Sequence, residues 1–176
     1  MKDNEIKIET RLLESRKIFL SSAIEEDVME TIIKKLVILD NINNKNIDIF
    51  INSPGGVVSD GFAFIDTVKQ LKSKVNTYII GEACSVAGLM SIIGNKRYMS
   101  ENSFWMSHDM RGGIYGDYSE KVLARTDYIK KCWALIENHL KKYTKLNNKD
   151  LDTLRSGELW LNAKECLTKG IIDKII

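Results

Sequence analysis

Residues 47–88 read IDIFINSPGGVVSDGFAFIDTVKQLKSKVNTYIIGEACSVAG, and the change of pattern along this stretch decides the fold. Ile47–Ile51 is β-branched and aromatic, the composition of a buried strand, and it runs into Asn52-Ser53-Pro54-Gly55-Gly56. From Ser59 onward Phe62, Ile65, Val68 and Leu71 recur at the spacing of one helix face. Val75–Ile80 is a second strand, closed by Gly81. After a turn of small residues, Val86–Ile93 is a short apolar segment that reads as a buried helix. Strand, helix, strand, helix in this rhythm predicts parallel strands joined by right-handed crossovers, hence an α/β fold.

The same reading extends outward. Upstream, Arg16–Ser21 is a short strand, and Glu25–Leu39 carries the amphipathic stripe Val28, Met29, Ile32, Ile33, Leu36 and Val37. Downstream, Lys96–Ser100 and Phe104–Ser107 are two further short strands, the second ending at His108. Tyr118–Tyr143 is the longest periodic segment, with Val122, Ile129, Cys132, Trp133, Ile136 and Leu140 on one side. That exceeds what a compact sheet face needs, so this helix is expected to project and pack against a partner. Asn147–Leu154 is a helix capped by Asn147, Trp160–Lys169 a turn and helix, and Gly170–Ile176 a closing strand. No linker and no internal repeat interrupts the chain, so 1–176 reads as a single domain.

Composition excludes several classes. Apolar residues make up 44% and charged residues 28%, values of an ordinary globular protein, and 26 basic against 24 acidic residues leave a net charge of +2. That charge is too small for a nucleic-acid footprint. Cys84, Cys132 and Cys166 are odd in number and show no CxxC spacing, so neither a disulfide framework nor a zinc site is expected. Three unpaired thiols and an N-terminus without an apolar core imply a cytoplasmic setting, and no stretch is long enough to span a membrane.

Chemistry concentrates at two glycine-marked turns. In Gly81-Glu82-Ala83-Cys84-Ser85-Val86-Ala87-Gly88 a strand enters and an apolar helix leaves, placing Ser85 at a helix N-terminus, where developing negative charge is favoured. Ala83 and Ala87 stand where a GxSxG elbow would have glycines. The Ser53-Pro54-Gly55-Gly56 turn lets main-chain N–H groups approach a ligand, and no GxxxxGK[ST] pattern follows, so it is not a phosphate loop. Of the two histidines, His139 lies beside the apolar face of the long helix and reads as a packing residue. His108, at a strand end, suits a general base. Asp109 would point to the opposite strand face, which leaves Asp152 and Glu158 as acids that could fix the imidazole. Spacing does not choose between them. Cys84, beside the serine, reads as a small apolar packing residue.

Five ordered segments carry a resemblance over about Arg11 to Ile176: RLLESRKIFL, FINSPGGVVSDGFAFIDTVKQLK, GEACSVAGLM, KRYMSENSFWMSH and WLNAKECLTKGIIDKII. The chain resembles the ClpP family, the proteolytic subunits of Clp protease on the ClpP/crotonase fold. The resemblance implies repeated ββα units with a projecting long helix, about 118–143, used in oligomerisation. It implies a serine endopeptidase acting on unfolded polypeptides, with Ser85 as nucleophile, His108 as general base, and the N–H groups of Gly56 and Val86 as oxyanion hole. The family acid sits two residues before the aromatic that opens the (F/W)-L-x-A segment. Here that aromatic is Trp160, so the acid is Glu158, where the family usually has Asp. Heptameric rings stacked as a fourteen-subunit barrel are implied, with Gly112 and Gly113 in a segment that pairs between rings. No cofactor is implied, since ATP is used by a separate AAA+ unfoldase.

Three departures bear on these expectations. The residue after the serine is Val86, followed by Ala87 and Gly88, where the family commonly reads Ser-Met-Gly, which implies a reshaped specificity pocket. Asp48 and Phe50 stand where relatives often carry tyrosines in the pocket that receives the ATPase. The segment ahead of RLLESR, used by family members for axial loops, is short. A catalytically silent ring subunit is the alternative reading, and a crotonase-type acyl-CoA enzyme would leave the Ser, His and acid positions without a purpose.

Overall fold

The computed structural model describes residues 2–110 and 119–176. Its elements in chain order are α1 (Lys2–Glu14), β1 (Lys17–Leu20), α2 (Glu26–Ile42), β2 (Ile47–Ser53), α3 (Val58–Gln70), β3 (Val75–Cys84) and α4 (Val86–Ser91). They continue as β4 (Lys96–Met99), β5 (Phe104–His108), α5 (Ser119–Tyr143), α6 (Asn148–Ser156), β6 (Glu158–Asn162), α7 (Ala163–Thr168) and β7 (Lys174–Ile175). The α/β expectation holds. One sheet of seven strands has the order β1-β2-β3-β4-β7, every neighbouring pair along that path parallel.

The sheet divides at β3. Asn76–Ile79 pairs with β4, whereas Glu82–Cys84 pairs with β5. Gly81 lies between the two halves with φ +91°, and a Cβ there would meet Asn52 Oδ1 at 2.5 Å. Only glycine fits both constraints. The end of β3 is therefore a point where strand order changes, the place where open α/β sheets build their sites.

One strand departs from the sequence reading. Trp160–Lys169 reads as a turn and helix, but its first residues belong to β6, antiparallel to β5, and only α7 beyond them is helical. Gly157 closes α6 directly before β6, so the strand has no turn of its own to announce it. Lys2–Glu14 is likewise a helix, over a stretch to which the sequence reading assigned no element. The closing strand is shorter than read, Lys174–Ile175.

Packing follows the predicted stripes with shifts of phase. In α2 the buried residues are Met29, Ile32, Leu36 and Leu39, while Val37 is exposed. The helix runs past Leu39 because Arg16 caps it: its guanidinium donates to the carbonyls of Leu39 (2.8 Å), Asn43 (3.2 Å) and Lys45 (2.8 Å). Asn147 caps α6 as predicted, in a reciprocal box with Asp150. On one face of the sheet Phe19, Phe50, Tyr78 and Tyr98, in register across four strands, stack with centroids 4.6–4.7 Å apart. Asp48 lies on that face too and accepts from Asn76 Nδ2 at 2.9 Å.

The long helix divides in two. From Cys132 onward Ile136, His139 and Leu140 are buried, whereas none of residues 121–131 is. Val122 and Ile129 continue the apolar stripe over that half and are half-buried there. Tyr118, Gly112 and Gly113 lie outside the described residues.

Candidate active site

Ser85 joins β3 to α4 with φ +56° and ψ −126°, a conformation that L-residues rarely adopt. Three packing constraints hold it there. The Ser85 N–H donates to Met106 O at 2.8 Å, tying the turn to β5. A Cβ on Gly88 would meet Trp105 Nε1 at 2.9 Å, so the helix lies too close to β5 for any side chain at that position. A Cβ on Gly61 would meet Val86 Cγ2 at 2.1 Å, so α3 presses the first residue of α4 from the other side. Strain of this kind persists only where the surroundings over-determine it. The absent GxSxG pattern gave no sign of this geometry; its signal lay in Gly61 and Gly88.

α4 is buried along its whole length, and each of its last four carbonyls finds a donor. Trp105 Nε1 (3.1 Å) and Ser91 Oγ (2.8 Å) reach Gly88 O, His139 Nε2 (2.9 Å) reaches Leu89 O, and Thr77 Oγ1 (2.6 Å) reaches Ser91 O. The Ile92 and Ile93 N–H groups take Met90 O. His139 is thus a tether between α5 and the helix that carries Ser85. Burial above all holds its pKa below the ordinary 6.5; Lys69 and Lys142 add to this, while the Leu89 bond and Asp66 oppose it. The neutral ring is the folded form, so stability is full above about 6.5 and declines as pH falls toward the lowered value. His139→Leu is expected to cost about 1–3 kcal/mol by stranding the Leu89 carbonyl. His139→Gln should keep more of that stability and flatten the acid dependence, which thermal melts between pH 5 and pH 8, about the histidine range, would check.

A cavity of about 100 Å³ opens at Ser85, walled by Gly56, Val58, Val86, Leu89, Ile136 and the segment 107–110. Among the described residues the Ser85 hydroxyl has no hydrogen-bond partner, and neither has the Gly56 N–H. The Val86 N–H opens α4 and so has no acceptor within the helix. Gly56 and Val86 therefore line the same space as the serine. Gly55 also lies against the serine: with φ +91°, its Cβ would lie 2.7 Å from Ser85 Cβ. The sequence reading named it only as part of the Gly55-Gly56 turn.

His108 ends β5 and borders this cavity together with a second one, of about 230 Å³, that reaches Arg155, Gly157 and Glu158. Its Nδ1 faces the Asp109 carbonyl, which can only accept. Nδ1 must carry the proton, and Nε2 is left as the basic nitrogen. The partner holding this tautomer is a main-chain oxygen that residue patterns cannot reveal. Glu158 stands directly opposite His108 in the β5–β6 register, and its Oε2 accepts from Trp160 Nε1 at 2.9 Å. Asp152 is exposed on α6 and paired with Arg155 Nη1 at 2.9 Å. The Asp109 carboxylate accepts its neighbour's Met110 N–H at 2.7 Å.

Cys84 is buried, and its thiol is pushed up to about 12, by burial first and by Glu82 and Glu158 after it. Buried and protonated, this thiol has the surroundings of a packing residue. Among the described residues no cluster of histidine, cysteine and carboxylate side chains could hold a metal. Nor is any helix there long and apolar enough to cross a membrane.

An α/β sheet that presents a strained serine and a histidine at the end of its strands has the form of a hydrolase working on acyl groups. The family model for Clp protease matches residues 1–176. The proteolytic subunit of the ATP-dependent Clp protease of Carsonella ruddii is 34% identical, over 99% of this chain and 90% of its own. The corresponding subunit of Streptococcus mutans is 34% identical, over 96% and 88%. The chain belongs to the Clp protease family, and it is a protease. Its serine type is that of the family.

Proposed function

We infer that this chain is the proteolytic subunit of an ATP-dependent Clp system in the cytoplasm, cutting unfolded polypeptides inside a ring assembly. The observation that carries the reading is the strained Ser85 sharing one cavity with His108, Gly56 and Val86. In this mechanism His108 Nε2 takes the Ser85 proton as Oγ attacks the scissile carbonyl, and later gives it to the leaving amine. The Gly56 and Val86 N–H groups receive the oxyanion, and water then hydrolyses the acyl-enzyme by the same steps. Glu158, across from His108, stabilises the imidazolium. The apolar wall of Val58, Val86, Leu89 and Ile136 suits an apolar substrate side chain.

The assembly is proposed as heptameric rings, stacked in pairs through the uncovered half of α5. Leu123 and Tyr128 are exposed there, and the stripe residues Val122 and Ile129 are only half-buried. The stacked face of Phe19, Phe50, Tyr78 and Tyr98 is the proposed seat of an AAA+ unfoldase, which would supply the ATP chemistry. The chain itself needs no cofactor in this scheme. That Ser85 and His108 line one cavity supports an active subunit over a silent one.

The test is peptide hydrolysis by the assembled protein, with mass by sedimentation measured alongside. Wild type should cleave a short fluorogenic peptide without nucleotide and an unfolded protein only with the ATPase. Glu158→Ala should reduce kcat on the peptide by about 10³–10⁴-fold. A full assembly without peptidase activity would contradict the reading.

A further inference from the structure

The proposed triad asks Glu158 to serve His108, yet the bond that the structure gives its Oε2 comes from the Trp160 indole, at 2.9 Å. Glu158 and Trp160 are two residues apart on β6 and so project from the same face. In the antiparallel register His108 lies opposite Glu158, and Met106 opposite Trp160. Histidine, carboxylate and indole therefore form one contiguous group on this face. Trp160 is 47% exposed, more than a core aromatic would be, so burial does not account for its placement.

A glutamate has one more rotatable bond than an aspartate, and an exposed one on a strand samples several rotamers. A carboxylate that wanders spends little time where it can steady an imidazolium. An indole N–H is a donor only, and its bond to an ionised oxygen is charge-assisted. It can fix the carboxylate without competing for the proton in transfer. With Oε2 held by the indole, Oε1 is left to face the ring, whose Nδ1–H points at the Asp109 carbonyl, so the carboxylate serves the imidazolium through its charge.

We propose that Trp160 is a positioning residue, whose indole N–H holds the Glu158 carboxylate in the rotamer that serves His108. This rests on the serine-protease reading above. The bond belongs to the longer side chain: an aspartate at 158 would draw its oxygens back by one methylene, out of the indole's reach. The role of Trp160 is therefore conditional on glutamate, a property that a packing role does not have.

The experiment measures kcat and KM on a short peptide for the assembled wild type, Glu158→Gln, Trp160→Phe, Glu158→Asp and the Glu158→Asp/Trp160→Phe pair. Phenylalanine keeps the ring and removes only the donor. Trp160→Phe should lower kcat about three- to tenfold, the worth of one hydrogen bond, with KM and melting temperature unchanged. In the Glu158→Asp background the same substitution should cost nothing. An unchanged kcat in Trp160→Phe, or an equal loss in both backgrounds, overturns the proposal and leaves the protease reading standing. A Glu158→Gln variant as fast as wild type removes Glu158 from the reaction, and the proposal goes with it.

Discussion

Ser85→Ala is expected to reduce peptide hydrolysis by roughly 10⁴–10⁶-fold, the scale seen when a triad nucleophile is lost, while the fold stays intact. Alanine keeps the Cβ, so the backbone at φ +56° is neither relieved nor further strained. The hydroxyl has no hydrogen-bond partner among the described residues, so deleting it strands no group of the protein. The whole effect should fall on chemistry. Ser85→Gly offers the complementary result: equally inactive, but more stable by about 1 kcal/mol, because glycine accepts positive φ without strain. Melting curves beside rate measurements separate the two. A Ser85→Ala protein that kept a tenth of its activity would remove the serine from the mechanism.

Gly55→Ala should be nearly as damaging, for a steric reason. Its Cβ would lie 2.6 Å from Cys84 O and 2.7 Å from Ser85 Cβ, and its φ of +91° is hostile to any side chain. Neither contact is with a flexible side-chain end, so the nucleophile turn itself must shift. A displacement on the order of 1 Å costs about 10² in rate even where the chemical groups are intact. We expect kcat/KM to fall by at least about 10²-fold, with KM the lesser part. Gly56→Ala differs in kind. A Cβ there would strike the Ile24 main chain, 2.1 Å from its oxygen, and so break the bridge between Ile24 and Gly56. That variant should lose stability together with activity, whereas Gly55→Ala loses mainly activity.

Much of this architecture was legible because local pattern and tertiary environment agree. Ile47–Ile51 and Val75–Ile80 are strands that central burial demands, and their residues announce it. Asn147 announced its cap, since the reciprocal partner Asp150 lies within one helical turn. β6 was not legible. Glu158-Leu159-Trp160-Leu161-Asn162 follows the end of α6 without a turn, and it becomes a strand because β5 offers an edge to pair with. Its effect on the site is large, for that pairing sets Glu158 opposite His108.

The candidate site divides along the same line. Serine and histidine were visible through the turns around them, but spacing left Asp152 and Glu158 open as the acid, and only the family resemblance chose between them. The tautomer-setting carbonyl of Asp109, the indole of Trp160 and the His139 tether were invisible to pattern. A main-chain oxygen has no letter in the sequence, and the acceptor of His139 lies fifty residues away along the chain. The stripe on α5 shows the opposite limit: periodicity continues through Val122 and Ile129 whether this chain or a partner covers them.

The central claim is an activated serine at position 85. The most direct measurement is labelling of the assembled protein with a fluorophosphonate probe, mapped to the residue by mass spectrometry. Label on Ser85, absent in Ser85→Ala and sharply reduced in Glu158→Ala, is the result this account predicts. An assembled protein that takes no label, or takes it at another residue, would contradict it.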